Sequence, residues 1–177
     1  MPDTIIQTWL DRHSDTFLQN DFVAHMRRVH LPICIRTAGG AEWLIREEAV
    51  LRNGFDAWVK VIRDQHATDL VYRLLSVDKQ GEDIIWASYS THILRDATPM
   101  VPAYDSALCL IHIDGSWKCN SVISGLSNTQ WPVVMPRVDT SEGGAHKPDF
   151  PSLCPEAARL PNEPSILTPP VIPPRKD

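Results

Sequence analysis

The stretch LIHIDGSWK, at residues 110–118, constrains the fold of this 177-residue chain more than any other segment. It joins an alternating apolar run to the start of a second strand-like run through an Asp-Gly pair, which is the pattern of a β-hairpin with a two-residue turn. A turn of this length sets the register of the two strands, so Leu110 is expected opposite Cys119, with Cys109 on the other face. This register argues against a disulfide between the two hairpin cysteines.

Four strand-like runs follow one another between residues 69 and 126, namely DLVYRLLSV, IIWASYSTHIL, AYDSALCLIHI and WKCNSVISGL. The linkers between them carry Gly, Pro and Asp turn signals, so the pattern predicts strands joined by hairpins in an antiparallel sheet. The third run is apolar on both faces, with Leu108 and Leu110 on one side and Cys109 and Ile111 on the other. We therefore expect helices to cover one face and a second layer, such as another subunit, to cover the other.

Three segments with helical periodicity precede these strands. The first helix is expected to begin at a cap formed by Asp3 or Thr4. The second is expected to begin at Asn20-Asp21, and its apolar side runs to Val29.

A hairpin and a long helix are expected between the second helix and the sheet. The segment ICIRTAGGAEWLI has strand-forming residues on both sides of Gly39-Gly40, which predicts a β-hairpin. From Glu47 onward the apolar residues recur at the spacing of one helical face, and acidic residues stand at the start of this segment. The third helix is therefore expected there.

Charge and cysteine content argue against several classes of function. The chain has 22 acidic and 17 basic residues, and the basic ones are scattered, so no nucleic-acid-binding surface is indicated. The N-terminal stretch MPDTIIQTWLDRH lacks the apolar core of a signal peptide, and no apolar run is long enough to span a membrane, which predicts a soluble, cytoplasmic protein. The four cysteines have no metal-binding spacing with the histidines, so we expect buried free thiols, no metal and no cofactor.

The composition changes after Trp131, where the remaining segment holds most of the prolines of the chain. Proline breaks helices and cannot donate to a sheet ladder, so residues 131–177 are expected to form an extended arm and residues 1–130 the folded domain. The arm has enough apolar residues to lie over its own domain or over a partner subunit.

The order of these elements, together with the DGSWK ending of the last hairpin, resembles the nuclear transport factor 2-like superfamily. This superfamily includes polyketide cyclases, ketosteroid isomerase and scytalone dehydratase, and the resemblance covers roughly Asp3 to Leu126. It implies an α+β, cystatin-like cone fold, in which three N-terminal helices pack on a strongly curved antiparallel or mixed sheet and leave an apolar pocket. The hairpin register then pairs His112 with Trp117. We expect a homodimer that associates through the outer sheet face, with a further contribution from the proline-rich arm.

Pockets of this superfamily usually work by general acid/base catalysis with Asp, His and Tyr side chains. The aspartate base of ketosteroid isomerase lies on the strand after the second helix, and the corresponding stretch here, LPICIRTAGG, has no carboxylate. Scytalone dehydratase uses histidines and tyrosines, and these residue types occur on strands that are expected to face the pocket. The resemblance therefore implies His92, Tyr104 and Tyr89 as catalytic candidates, although each can equally be a core residue with a hydrogen-bond partner.

Four more residues are candidates for substrate binding. Arg36 can clamp a carboxylate, or it can pair with Glu42 across its own hairpin. His25 is expected at the rim of the pocket, whereas Phe55 and Trp58 on the third helix are either pocket wall or ordinary core.

Two functions from different classes remain open. The first is an uncharacterised protein that binds a small apolar molecule in its cavity, for which the resemblance implies lyase or isomerase chemistry. The alternative is a non-catalytic dimerisation or interaction module whose cavity is filled by side chains. A void large enough for a ligand would favour the first function, and a packed interior would favour the second.

Overall fold

A computed structural model describes residues 1–126, and the predicted arm at residues 131–177 lies outside the described part of the chain. The helices are α1 (Pro2–Leu18), α2 (Phe22–Met26) and α3 (Glu48–Asp64). The strands are β1 (Val29–Thr37), β2 (Glu42–Ile45), β3 (Asp69–Gln80), β4 (Ile84–Arg95), β5 (Thr98–Pro99), β6 (Tyr104–Ile113) and β7 (Ser116–Ser124). The predicted α+β class and its order of elements are confirmed.

The strands form one mixed sheet with the order β2-β1-β7-β6-β4-β3, and the short β5 pairs with β4. Strands β1 and β7 run parallel, while the other described pairs are antiparallel. Three of the pairings have an irregularity of register. These irregularities lie between Val29 and Cys34 in β1, between Leu74 and Ser76 in β3, and between Cys109 and Leu110 in β6. Because such bulges bend strands and increase their twist, they curve the sheet around the helices.

The hairpin of β6 and β7 has the register expected from its Asp-Gly turn. Leu110 stands opposite Cys119, and His112 stands opposite Trp117, with their ring centroids 4.9 Å apart. Cys109 and Cys119 are both buried, free thiols, as expected.

The helix boundaries agree with the sequence in part. Helix α1 begins at Pro2, ahead of the predicted cap, because proline is well suited to the first turn of a helix. Asp21 caps α2 as predicted, and its Oδ1 accepts a hydrogen bond of 2.9 Å from the amide of Ala24. The prediction that the second helix extends to Val29 is wrong, since α2 ends at Met26 and Val29 instead pairs with Cys119 as the first residue of β1.

The main core lies between the helices and one face of the sheet. Its members include the fully buried Ile6 and Leu10 of α1 and Leu108 and Leu110 of β6. Gln7 holds α1 against β3, because its side chain donates to the carbonyl of Tyr72 at 2.9 Å and accepts from the amide of Leu74 at 3.3 Å.

The other face of the sheet carries a second, smaller apolar cluster around Trp86, Cys109 and Ile111. Cys34 is also fully buried and is disulfide-bonded, so the expectation of a free thiol is wrong for this cysteine. Within residues 1–126, each helix is too short or too polar to cross a lipid bilayer.

Candidate functional site

A cavity of about 170 Å³ lies between the three helices and the inner face of the sheet. The helices contribute mainly aromatic side chains, and the strands contribute aliphatic side chains and hydroxyl groups. Its wall is formed by His13, Phe17, His25, Val29, Ile33, Ile35, Thr37, Trp43, Leu51, Gly54, Phe55, Trp58, Tyr72, Tyr89, Thr91, Tyr104, Ser106, Cys119, Val122, Ser124 and Leu126.

Five of the seven residues singled out from the sequence lie in this wall. Tyr89 and Tyr104 project from the sheet, and His25, Phe55 and Trp58 project from the helices. Their presence in one wall agrees with the predicted pocket, while the roles assigned to them remain predictions.

His92 and Arg36 do not line the cavity, which corrects their placement as site residues. Successive side chains on a strand point to opposite faces of the sheet. Thr91 faces the cavity on β4, so its neighbour His92 lies on the outer face; Tyr89 and His92, three residues apart, cannot share one face. Arg36 likewise follows the cavity residue Ile35 on β1, and it stands opposite Glu42 in the hairpin register.

Cross-strand pairs of hydroxyl groups form the polar part of the sheet wall. Tyr89 stands opposite Ser106, and Thr91 stands opposite Tyr104, in the register of β4 and β6. A side-chain hydrogen bond links the members of each pair. On the other side of Thr91, Tyr72 of β3 continues the row, and its ring meets that of Tyr89 edge to face at 5.2 Å.

Two histidines occupy the helical side of the cavity. The ring centroids of His13 and His25 are 5.1 Å apart, and His25 lies 4.9 Å from Phe55. The hydroxyl of Thr16 donates to the carbonyl of His13 at 2.7 Å and lies 3.5 Å from Nδ1 of His25. Since the hydroxyl has a single proton, Nδ1–H of His25 is the donor in the second contact, which leaves Nε2 as an acceptor.

Burial keeps both imidazoles neutral. It lowers the pKa of His25 to about 4, with the nearby positive charge of Arg28 as a further cause. Burial also holds the pKa of His13 well below its usual range, and His25 and Arg28 lower it further. Nδ1 of His13 is buried and has no hydrogen-bond partner, so protonation at this atom would create an unsatisfied donor.

Burial also keeps the phenols and the thiol of the wall protonated. It raises the pKa of Tyr72, Tyr89 and Tyr104 above the usual value for tyrosine. The hydrogen bonds with Ser106 and Thr91 offset part of this effect at Tyr89 and Tyr104, respectively. Burial raises the pKa of the Cys119 thiol to about 12, although a hydrogen bond with the backbone of Ser121 lowers it in part. In the structure the thiol itself donates to the carbonyl of Ser121 at 3.3 Å.

No carboxylate, lysine or arginine lines the cavity among the described residues. Over the same 126 residues, no three His, Cys, Asp or Glu side chains come together as ligands for a metal ion. The wall can therefore supply hydrogen bonds and ring contacts, but it brings no charge to a bound molecule.

The sequence contained signals for several wall residues that were not singled out. His13 is four residues from both Trp9 and Phe17, so a polar ring occurs within the apolar stripe of the first helix. Thr91 and Ser106 each lie two residues from a tyrosine candidate, on the same face of its strand. The contribution of Tyr72 depends on the pairing of β3 with β4, which strand periodicity alone does not predict.

Neither a family model nor a curated protein matches this sequence. Solved structures match it at low identity. A nuclear transport factor 2-like protein of unknown function from Shewanella oneidensis MR-1 has a TM-score of 0.51 and 12% identity, covering 70% of this chain and 98% of that chain. A protein of unknown function with a cystatin-like fold from Nostoc punctiforme PCC 73102 has a TM-score of 0.51 and 16% identity, covering 68% and 87%.

A proposed ketosteroid isomerase from Shewanella frigidimarina NCIMB 400 is similar to the same degree, with a TM-score of 0.51 and 14% identity over 66% of this chain and 90% of that chain. The chain therefore has the cystatin-like fold of these structures, which confirms the fold that the resemblance in the sequence implied. Because a fold hosts many unrelated activities, similarity at this level of identity establishes the architecture alone.

Proposed function

We propose that this protein binds a small, uncharged molecule with a single ring in the cavity between its helices and its sheet. The observation that carries the proposal is the chemistry of the wall, which is aromatic and aliphatic apart from hydroxyl groups, neutral imidazoles and one thiol. Such walls, with a few polar groups that fix orientation, are typical of small-molecule sites.

The volume of the cavity limits the size of the ligand. An apolar cavity of about 150 Å³ holds benzene, whereas drug-sized ligands need roughly 300–1,000 Å³. At about 170 Å³, this cavity has room for one ring with short substituents. A ligand with several fused rings would require the walls to move apart.

The electrostatics of the cavity limit the charge of the ligand. A carboxylate or an ammonium group placed here would lose its hydration without gaining a charged partner from the wall, at a cost of several kcal/mol. The paired hydroxyls of the sheet wall, by contrast, suit a hydroxyl or carbonyl oxygen, which can share hydrogen bonds with Tyr89 and Tyr104.

The pKa values of the side chains in this wall favour ligand binding over lyase or isomerase chemistry as the proposed function. Acid/base catalysts work best when their pKa is close to the operating pH. The pKa of His25 near 4 makes it a weak base, and the raised pKa values of Tyr89 and Tyr104 make both phenols weak acids. The open space inside this wall supports the proposal over the alternative of an interaction module with a filled interior.

The test is a thermal-shift and calorimetric screen with benzene, phenol, benzaldehyde, cyclohexanone, benzoate and a steroid. We expect phenol, benzaldehyde or cyclohexanone to raise the melting temperature, and we expect benzoate and the steroid to leave it unchanged. Val122→Phe, which adds bulk to the wall, should abolish the shift, and His92→Phe, on the outer face, should preserve it. Binding of benzoate in preference to phenol, or shifts that persist in Val122→Phe, would contradict the proposal.

A further inference from the structure

Each histidine of the cavity wall has one ring nitrogen that is unavailable to a ligand. Nδ1–H of His25 donates to the hydroxyl of Thr16 over 3.5 Å, because this hydroxyl donates its only proton to the carbonyl of His13 at 2.7 Å. Nδ1 of His13 is buried and has no hydrogen-bond partner. In both rings, Nε2 is therefore the nitrogen that remains for a bound molecule.

The neighbours of the two rings do not use these Nε2 atoms. His25 lies 4.9 Å from Phe55, whose ring has no hydrogen-bonding atom. Trp9 stacks on His13 at 4.6 Å, and its indole N–H donates elsewhere, to the carbonyl of Trp117 at 3.2 Å. In the described part of the chain, no group forms a hydrogen bond with either Nε2 atom, and neither atom is closed off from open space.

The two rings carry their protons on different nitrogens. Burial lowers the pKa of both histidines, so each ring is neutral and has one N–H and one lone pair. His25 holds its proton on Nδ1, which makes its Nε2 an acceptor. A proton on Nδ1 of His13 would be a buried donor without a partner, so this ring holds its proton on Nε2 and is a donor. The cavity wall thus presents one donor and one acceptor side by side, on rings whose centroids are 5.1 Å apart.

A hydroxyl group on the ligand matches this pair. It accepts one hydrogen bond and donates another, whereas a carbonyl oxygen only accepts and would leave Nε2 of His25 unpaired. With hydrogen bonds of roughly 2.7–3.2 Å, one oxygen can join two nitrogens up to about 6 Å apart. We propose that His13 and His25 select ligands that carry a hydroxyl group, and that Thr16 is the positioning residue that sets the tautomer of His25. This inference rests on the proposed function, since it specifies the polar group of the bound ring.

Long-range proton–nitrogen correlation spectra of the full chain, free of ligand and at neutral pH, test the tautomers. We expect the proton on Nε2 in His13 and on Nδ1 in His25. Thr16→Val keeps the shape of the side chain but removes the acceptor, so the proton of His25 should move to Nε2. Thr16→Ser keeps the hydroxyl and should keep the tautomer of the parent chain. The same tautomer at both histidines of the parent would overturn the proposal.

Calorimetry with benzyl alcohol, benzaldehyde and ethylbenzene tests the selection. These molecules share one ring and the same number of non-hydrogen atoms, but they end in a hydroxyl, a carbonyl and a methyl group. The ratio of the affinity for the alcohol to that for the aldehyde should fall at least fivefold in Thr16→Val, since both histidines would then be donors. Thr16→Ser should keep the ratio of the parent.

His25→Leu decides the matter if Thr16→Val loses its structure. It removes the acceptor and suits the phenylalanine neighbours of this position, and it should lower the ratio in the same way. The matched control His92→Leu, on the outer face of the sheet, should leave the ratio unchanged. A ratio that stays at the parent value in both Thr16→Val and His25→Leu would refute the selection alone. Failure of all three molecules to bind the parent would instead refute the proposed function, and the inference with it.

Discussion

Thr91 stands directly between Tyr72 and Tyr104 in the register of three adjacent strands, and all three side chains line the cavity. This row places a short hydroxyl between two phenols on one layer of the sheet. The neighbouring layer places Tyr89 opposite Ser106 in the same way. The polar part of the proposed site is therefore built on three adjacent strands, β3, β4 and β6.

Loss of one phenol hydroxyl should weaken both the fold and ligand binding. Tyr104→Phe keeps the ring but leaves the hydroxyl of Thr91 without its cross-strand partner, so we expect a loss of about 1 kcal/mol in the free energy of unfolding. Thr91→Val should cost a similar amount, and the double variant should cost less than the sum because both changes remove one interaction. Chemical denaturation measures the stabilities, and calorimetry with phenol measures the affinity. Strict additivity of the two losses would contradict the pairing.

The free energy of unfolding should decrease as the pH falls below the pKa of a free histidine side chain. The pKa of His25 is about 4 in the folded chain and near 6.5 in the unfolded chain, so the unfolded state binds more protons between these values. Folding stability is therefore lost as the pH falls from about 6.5 to 4, by roughly 3 kcal/mol for a group shifted this far. His13 acts in the same direction.

Urea denaturation between pH 4 and 8 measures this slope. His25→Gln should flatten the profile, while His66→Gln, at an exposed turn, serves as the matched control and should leave the profile unchanged. A slope that survives His25→Gln in full would assign the pH dependence to other groups.

Enlargement of the cavity should shift the preference towards a larger ligand. Phe55 is 2% exposed and contacts Phe17 at 5.1 Å and Phe22 at 5.3 Å, so Phe55→Ala should cost about 3–5 kcal/mol. The added volume should let a bicyclic molecule such as naphthol bind where phenol bound before. Leu108→Ala, in the core but outside the cavity wall, should destabilise the chain without this change in preference. Thermal shifts with both ligands make the comparison.

Gly125 should not tolerate a side chain. Its amide donates to Oγ of the cavity residue Ser106 at 3.1 Å, and a β-carbon at this position would overlap the backbone carbonyl of Asp105. Gly125→Ala should therefore cost about 1–3 kcal/mol or more and disturb the Ser106 corner of the cavity. Gly115→Asn is the control: its backbone is left-handed, which asparagine accepts, and the space around it is open. Equal melting temperatures for the two variants would rule out the overlap.

The local sequence pattern was sufficient to predict structural features that depend on a single turn or on the periodicity of apolar residues in one element. The Asp-Gly turn determined the register that joins Leu110 to Cys119, and helical periodicity located α3. Tyr89 and Tyr104 could be selected because they are tyrosines on strands of a recognisable order. His92 does not line the cavity with Tyr89, because side chains three residues apart on a strand point to opposite faces of the sheet.

What the sequence determined by itself is the set of elements and the turns between neighbours, since these depend on side chains a few residues apart. Only the tertiary structure decided that Val29 belongs to β1, which pairs with β7, and not to a longer second helix. It also decided that His13 of α1 contacts His25 of α2 in the cavity wall. Contacts between residues far apart in the chain depend on how whole elements pack, which no local pattern encodes. The cavity is the space that this packing leaves.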